Sequence, residues 1–288
     1  MCFAKLVRMK LRHHQLFLIL VLVLLALGVL FVFDASVAEA YQQFNDKFYF
    51  ARQQLAWAGL GLIAMVISSF IPMKWLRLIG PLIFFGSLAM LVGVLIPGIG
   101  SKVQGARRWL IFGPFRMQPA ELMKTGMILY FSSWLSTHQR PWPFFVLMVC
   151  IFGLIMLQPD LGSALIIVAI GAGLFVAAGG KWLHLSAMAG IGILGIILLI
   201  FISPYRMNRV KTFFNQESDP LGSSYHMRQI TIALGSGGWF GQGIGQSRQK
   251  YQYIPEASTD SIFAIAAEEI GFVGSTAVLL IFLTLLLI

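Results

Sequence analysis

Eight long apolar runs, separated by polar connections, decide most of what this 288-residue chain can fold into. They cover residues 15–33, 55–71, 76–96, 117–135, 144–157, 163–178, 183–202 and 262–288. A helix needs about 20 apolar residues to cross the hydrocarbon layer of a membrane, and most of the runs are near that length. The runs at 144–157 and 163–178 are shorter, and Gln158-Pro159-Asp160-Leu161-Gly162 joins them, which predicts tilted or shallow spans. Composition agrees, with 58% of residues hydrophobic and 11% charged, against about half and about a quarter in a soluble domain. The expected fold is an all-α polytopic membrane protein. It is a single transmembrane domain over residues 1–288 with eight helices. The last run reaches residue 288 without a polar flank, so the chain reads as stopping inside or just after a membrane segment.

Residues 1–14 carry Lys5, Arg8, Lys10 and Arg12 and no acid. The positive-inside rule therefore places the N-terminus in the cytoplasm. A basic flank before an apolar run is also the plan of a signal peptide, and Ala38-Glu39-Ala40 resembles a cleavage site. The run is longer than a signal core and further spans follow, so it reads as an uncleaved first helix. Threading eight spans from there puts Lys74, Arg77, Arg140 and Lys181 inside. The loops 34–52, 97–116, 158–162 and 203–260 fall outside and hold twelve of the 21 basic residues. Long loops escape the orientation rule, but the excess still needs a destination. A specific anionic ligand at the outer face is the expectation, with membrane lipid headgroups as the plainer alternative. Nucleic acid is not expected, because that face is extracytoplasmic and no reading motif is present.

The long polar segment, 203–260, holds the strongest local signals. It passes through Pro204-Tyr205-Arg206-Met207-Asn208-Arg209, then an amphipathic stretch from Tyr225 to Leu234, which predicts a short interfacial helix. Gly235-Ser236-Gly237-Gly238 ends that helix and opens a glycine-lined return to the membrane. The glycines are no nucleotide loop, since there is no GxxxxGK[ST] pattern and no preceding strand. The segment closes on Asp260, which abuts the last apolar run. Two readings of that carboxylate fit: a catalytic group facing a basic loop, or a helix cap shared with Thr259.

Charges within the apolar runs are the other signal, because ionisable groups at such depth are costly and face a cavity or a partner. Glu121 and Lys124 are three apart and share a helix face. Glu268 and Glu269 lie roughly 12 Å along the last helix from Asp260 at about 1.5 Å per residue. Asp160 either caps the next helix or faces a cavity. The two cysteines, Cys2 and Cys150, and the five histidines form no metal-ligand spacing.

Several motifs, in order along the chain, carry a resemblance. They are Gly105-Ala106-Arg107-Arg108-Trp109-Leu110, Gly113-Pro114, Gln118-Pro119-Ala120-Glu121-Leu122-Met123-Lys124 and Gln158-Pro159-Asp160-Leu161-Gly162. Tyr205-Arg206-Met207-Asn208-Arg209, Asp219-Pro220-Leu221-Gly222 and Gln249-Lys250 follow. The most specific is Pro255-Glu256-Ala257-Ser258-Thr259-Asp260, leading into Glu268-Glu269-Ile270-Gly271. Together they resemble the SEDS family of bacterial cell-wall proteins (FtsW, RodA, SpoVE), and most closely its FtsW/SpoVE branch. The resemblance implies a ten-helix bundle, with about eight of the ten helices present here and a large extracytoplasmic loop, 203–260, before the last of them. It implies a peptidoglycan glycosyltransferase of the bacterial cytoplasmic membrane that polymerises lipid II on the outer face, in cell division. A class B penicillin-binding protein and other divisome proteins are the implied partners. The family's essential aspartate falls on Asp260. Ser258, Ser261 and His226 depart from the residues common in the family.

That reaction joins a sugar hydroxyl to the anomeric carbon of a lipid-pyrophosphate-linked sugar. It needs a base, for which Asp260 is the candidate. It needs cations for the departing pyrophosphate, and arginine suits phosphate through its bidentate fork. Arg52, Arg107, Arg108, Arg206, Arg209 and Lys250 form that candidate set, with Glu256 beside them. Trp109 is either a sugar-stacking or a membrane-belt residue. Glu121, Lys124, Asp160, Glu268 and Glu269 are support residues. A divalent cation, Mg²⁺ or Mn²⁺, is a candidate cofactor, with Asp260, Glu256 and Asp160 as its candidate ligands. The alternative function is a lipid II flippase whose headgroup path runs past the charges in the spans. A scaffold recruiting the crosslinking partner is a third reading, but it leaves the outer cations without a purpose.

Overall fold

The computed structural model describes residues 2–103, 106–113, 115–137, 141–202, 207, 225–250 and 259–288. All eight apolar runs are helical, and the amphipathic stretch forms a shorter ninth helix among the described residues. Four of these helices are long and apolar enough to cross a membrane: His14–Phe44, Tyr49–Ser69, Met73–Gly93 and Ile262–Leu287. Their outward side chains are apolar; Leu82, for example, is 75% exposed and Phe70 80% exposed. Contiguous apolar surface of that kind belongs against lipid. The chain divides into two compact units, Met1–Ser68 with Ile200–Ile288, and Ser69–Leu199.

The first unit contains α1 (Cys2–Phe44), α2 (Tyr49–Ser69), α8 (Tyr225–Ser236) and α9 (Ile262–Leu287). The expected loop over 34–52 is a correction: α1 continues through it to Phe44, leaving four residues of turn. Packing explains the extension, because Ala35, Ser36 and Ala40 are buried on the continued helix. Asn45 turns the chain with a left-handed φ of 51°, a conformation asparagine tolerates. Asp46 Oδ1 then accepts from the Phe48 amide at 3.0 Å, where α2 begins. Ala35 of α1, Ala233 of α8, and Ala264 and Ile265 of α9 form a small shared core.

The second unit contains α3 (Met73–Gly93), α4 (Pro119–Thr137), α5 (Pro141–Leu157), α6 (Leu161–Ala177) and most of α7 (Trp182–Ile202). Its core is aromatic and thioether-rich, built on Phe84, Met123, Met127, Phe131, Phe144 and Met148. Helices α3 and α4 pack closely; a Cβ on Gly126 would lie 2.9 Å from the Phe84 Cα. Small residues permit such approach between membrane helices. The all-α expectation also needs correction here. The predicted loop over 97–116 contains a three-stranded antiparallel sheet, β1 (Gly100–Val103), β2 (Ala106–Phe112) and β3 (Phe115–Met117). β2 is its middle strand, with Leu110 opposite both Gly100 and Met117. Ala106 and Leu110 are buried, and the β1–β2 register shifts between Ser101 and Lys102, which leaves Arg108 as a bulged residue that interrupts the period-two alternation of β2.

Candidate active site

Asp260 sits in the turn that leads into α9, and its side chain is exposed. The next residue, Ser261, is the N-cap of α9 and is 1% exposed. The Ser261 carbonyl accepts from the Ala264 and Ile265 amides at 3.0 and 3.2 Å. Its side chain makes no cap bond to the helix. The cap role therefore belongs to Ser261, and Asp260 is presented outward from a turn with a buried anchor.

Two turns further along α9, Glu268 and Glu269 are both buried. Their partners come from the chain's glycine-lined return. Glu268 accepts from Ser236 Oγ at 3.2 Å, from Ser247 Oγ at 2.5 Å and from the amides of Arg248 and Gln249 at 3.4 Å. Glu269 accepts from the Ser247 amide at 3.0 Å and from Lys250 Nζ at 3.2 Å. The same ammonium donates to Asp34 Oδ1 on α1 and to the Gly245 carbonyl, both at 2.8 Å. One lysine thus ties α1, the return loop and α9 together. Burial disfavours its charge, but hydrogen bonding and attraction from Asp34, with Glu269 adding to both, outweigh it, so Lys250 is held above its ordinary pKa. Lys250 was expected among the pyrophosphate cations; the structure instead buries it between two carboxylates, where it is a structural ion.

The return loop also repairs a break in α9. Gly271 has φ 69° and ψ −172°, a conformation closed to other residues. The break leaves backbone groups unpaired within an apolar helix, and the loop supplies partners. Gln242 and Gly243 amides donate to the Glu268 and Glu269 carbonyls at 2.9 and 3.0 Å. The Phe272 and Val273 amides donate to the Gly238 and Trp239 carbonyls at 2.9 and 3.1 Å. Backbones approach so closely that a Cβ on Gly241 would fall 2.0 Å from the Glu269 oxygen. The glycines thus serve a helix-to-loop contact.

In the other unit, the two adjacent arginines of β2 differ in pairing: Arg107 lies opposite Lys102 of β1, and Arg108 does not pair with β1. Arg108 is the bulged residue of β2; its Nε donates to the Gln158 carbonyl at 3.0 Å and its Nη2 to the Pro159 carbonyl at 2.5 Å. It is engaged in holding the α5–α6 turn, a correction to its place in the pyrophosphate set. Arg107 and Trp109, on either side of it, are half-buried and lie opposite Lys102 and Ser101 of β1. Asp160 is the N-cap of α6, accepting from the Ser163 amide at 3.1 Å and from Ser163 Oγ and Gln118 Nε2 at 2.8 and 3.0 Å. Lys124 pairs with Glu121 at 2.7 Å along α4. Arg52, in the first unit, pairs with Asp46 and stays exposed. Arg206, Arg209 and Glu256 lie outside the described residues.

A family model described as "Cell cycle protein", covering FtsW, RodA and SpoVE, matches residues 14–288. The chain belongs to the FtsW/RodA/SpoVE family. Within that family it is 39% identical over 283 residues to stage V sporulation protein E of Bacillus subtilis, covering 94% of this chain and 76% of that protein. It is 39% identical over 265 residues to a protein of Halorhodospira halophila named "Probable peptidoglycan glycosyltransferase FtsW", covering 89% and 67%. Among solved structures, one chain of a peptidoglycan synthase complex, studied for its coordination of polymerization and crosslinking, superposes with a TM-score of 0.71. It is 28% identical, with 94% of this chain and 75% of that one covered. The crystal structure of the rod shape determining protein RodA from Thermus thermophilus gives a TM-score of 0.61 at 27% identity, covering 94% and 71%. The FtsW/RodA/SpoVE chain is a mostly helical, multi-pass membrane protein. Asp34, Ser236 and Ser247, which complete the carboxylate cluster, were not among the residues expected from sequence. The one available signal was Asp34 itself, an acid at the end of an apolar run.

Proposed function

We infer that this chain, a peptidoglycan glycosyltransferase of the FtsW/RodA/SpoVE family, polymerises lipid II with Asp260 as its general base. The single observation that carries the assignment is the exposed Asp260 carboxylate on a turn whose next residue is buried. Such a group is held in place yet open to a substrate hydroxyl. It takes the proton of the acceptor sugar 4-hydroxyl as that oxygen attacks the donor's anomeric carbon. Attack from the face opposite the pyrophosphate inverts that carbon, and the lipid pyrophosphate leaves. Charge grows on the leaving group, and arginines near it lower the barrier. Arg206 and Arg209 are the candidates on the long loop. In the unit built on the sheet, Arg107 and Trp109 flank the β2 bulge, half-buried, and suit phosphate and sugar by their chemistry.

Among the described residues, no group of three His, Cys, Asp or Glu side chains is placed to share a metal ion. An Mg²⁺ or Mn²⁺ ion would have Asp260 and the substrate's own pyrophosphate oxygens as ligands, with waters completing its shell. It would supply charge neutralisation at the leaving group. Asp160 suits that task less, since Ser163 and Gln118 occupy its carboxylate.

The orientation that fits this chemistry has the N-terminus in the cytoplasm and the 203–260 loop on the outer face of the bacterial cytoplasmic membrane. The ten-helix family bundle, of which eight long helices are described here, and a class B penicillin-binding protein as partner complete the reading, in a division role. The flippase alternative draws on acids along the spans. The partners of Glu268 and Glu269 weigh against it, because both acids are taken up by the chain's own loop. The test is polymerisation of lipid II by the purified protein with its partner. Asp260→Ala is expected to abolish polymer. Polymer at the wild-type rate refutes the base assignment, and headgroup translocation without polymer favours the flippase.

A further inference from the structure

We propose that His226 positions Asp260, acting through the Ser261 hydroxyl; the proposal rests on the reading of Asp260 as the base. His226 Nε2 lies 2.8 Å from Ser261 Oγ, across 35 positions of sequence. Ser261 follows Asp260 directly and is the buried member of the turn, while Thr259 and Asp260 are exposed. Serine at an N-cap commonly turns its oxygen onto its own helix. Here no such bond forms, and the hydroxyl meets the imidazole on α8 instead.

The post that carries the imidazole is itself fixed. Ala233 of α8 is fully buried against Ala35, Ala264 and Ile265. At the far end of α8, Ser236 Oγ donates to Glu268 at 3.2 Å. His226 therefore stands on a helix anchored at its middle and its end, and reaches the turn from its first turn. Removing either partner leaves the other polar group part-buried without this bond, which is the costly direction of the exchange. The consequence falls on the neighbouring carboxylate, because a base displaced by about 1 Å can lose up to about 100-fold in rate. His226 touches no reacting atom, so it is a positioning residue.

The experiment measures lipid II polymerisation by the protein reconstituted in vesicles with its partner, with Tm read in parallel. His226→Leu and Ser261→Ala are each expected to lower kcat per folded molecule roughly 10- to 100-fold, leaving KM near wild type and lowering Tm by only a few degrees. His226→Gln, whose amide reaches the same hydroxyl, is expected to restore most of the rate. The double variant His226→Leu/Ser261→Ala is expected to be no slower than the slower single one, because the two changes break one contact. Asp260→Ala in the same assay separates the two claims. If it is inactive while His226→Leu keeps the wild-type kcat, or while His226→Gln is as slow as His226→Leu, the tether is overturned and the base stands. A fall in Tm with kcat unchanged per folded molecule overturns the tether as well. If Asp260→Ala keeps the wild-type rate, the base reading fails and takes the tether with it.

Discussion

Gly271→Ala tests the repaired break in α9 most directly. At φ 69° and ψ −172° an alanine is strained, by about 2 kcal/mol for a conformation of this kind. Its Cβ would also lie 2.2 Å from the Gly241 nitrogen and 2.6 Å from the Phe240 carbonyl carbon. Both are backbone atoms, so no side chain can swing aside and the loop must separate from the helix. That separation threatens the bonds joining Gln242, Gly243, Phe272 and Val273 to their partners. At about 1 kcal/mol net each, the four add about 4 kcal/mol, and the loss totals roughly 6 kcal/mol with the strain. At about 2–4 °C per kcal/mol for a chain of this size, Tm falls by about 10 °C or more. The assay is thermal unfolding of the purified protein in detergent. Gly235→Ala is the control, since a Cβ there meets nothing within 4 Å. If Gly271→Ala melts within about 2 °C of that control, the loop does not hold the break and the reasoning fails.

Lys250→Met should destabilise by about 3–5 kcal/mol, because Asp34 and Glu269 lose their buried counter-ion; adding Asp34→Asn should recover part of the lost Tm, and no recovery would contradict the ion-pair account. Lys250 also predicts an alkaline limb. Its folded pKa lies above the ordinary value of 10.5, so its contribution is complete below that pH and is lost as pH rises through the folded value. Wild type should therefore lose Tm more steeply than Lys250→Met above about pH 10.5; parallel slopes would refute it. The two arginines of β2 should separate cleanly. Arg108→Ala should lower Tm by loosening the α5–α6 turn, at about 1.5–3 kcal/mol for a charged hydrogen-bond donor. Arg107→Ala should leave Tm in place and slow lipid II polymerisation, and a reversed pattern would exchange their roles.

The helical bundle was legible because hydrophobic runs of membrane length have few other solutions. All eight runs became helices, and the glycine signal correctly ended α8. What escaped is non-local. Lys250 and Asp34 are 216 positions apart, and nothing near either residue announces the other. The buried Glu268–Glu269 pair was visible as a cost, but its partners were not. The sheet was missed because its strands are 3 to 7 residues long and lie in a segment bounded by spans, where periodicity has little length to show. Arg107 and Arg108 could not be told apart in sequence; the β2 bulge at Arg108 and its bonds to the Gln158 and Pro159 carbonyls distinguish them. The end of α1 was misplaced because Asp34 looked like the start of a loop, when it is a part-buried acid within α1 that pairs with a distant lysine.

The break at Gly271 also bears on how the protein enters its membrane during synthesis. Taken alone, α9 would carry the unpaired amides and carbonyls of its break into hydrocarbon, at several kcal/mol for each group. The loop that satisfies them precedes α9 in the chain and leaves the ribosome first. The natural unit of insertion is therefore the loop and helix together, from the end of α8 through Leu287. A translocon that released α9 into lipid before its loop had docked would strand a helix that lipid cannot stabilise.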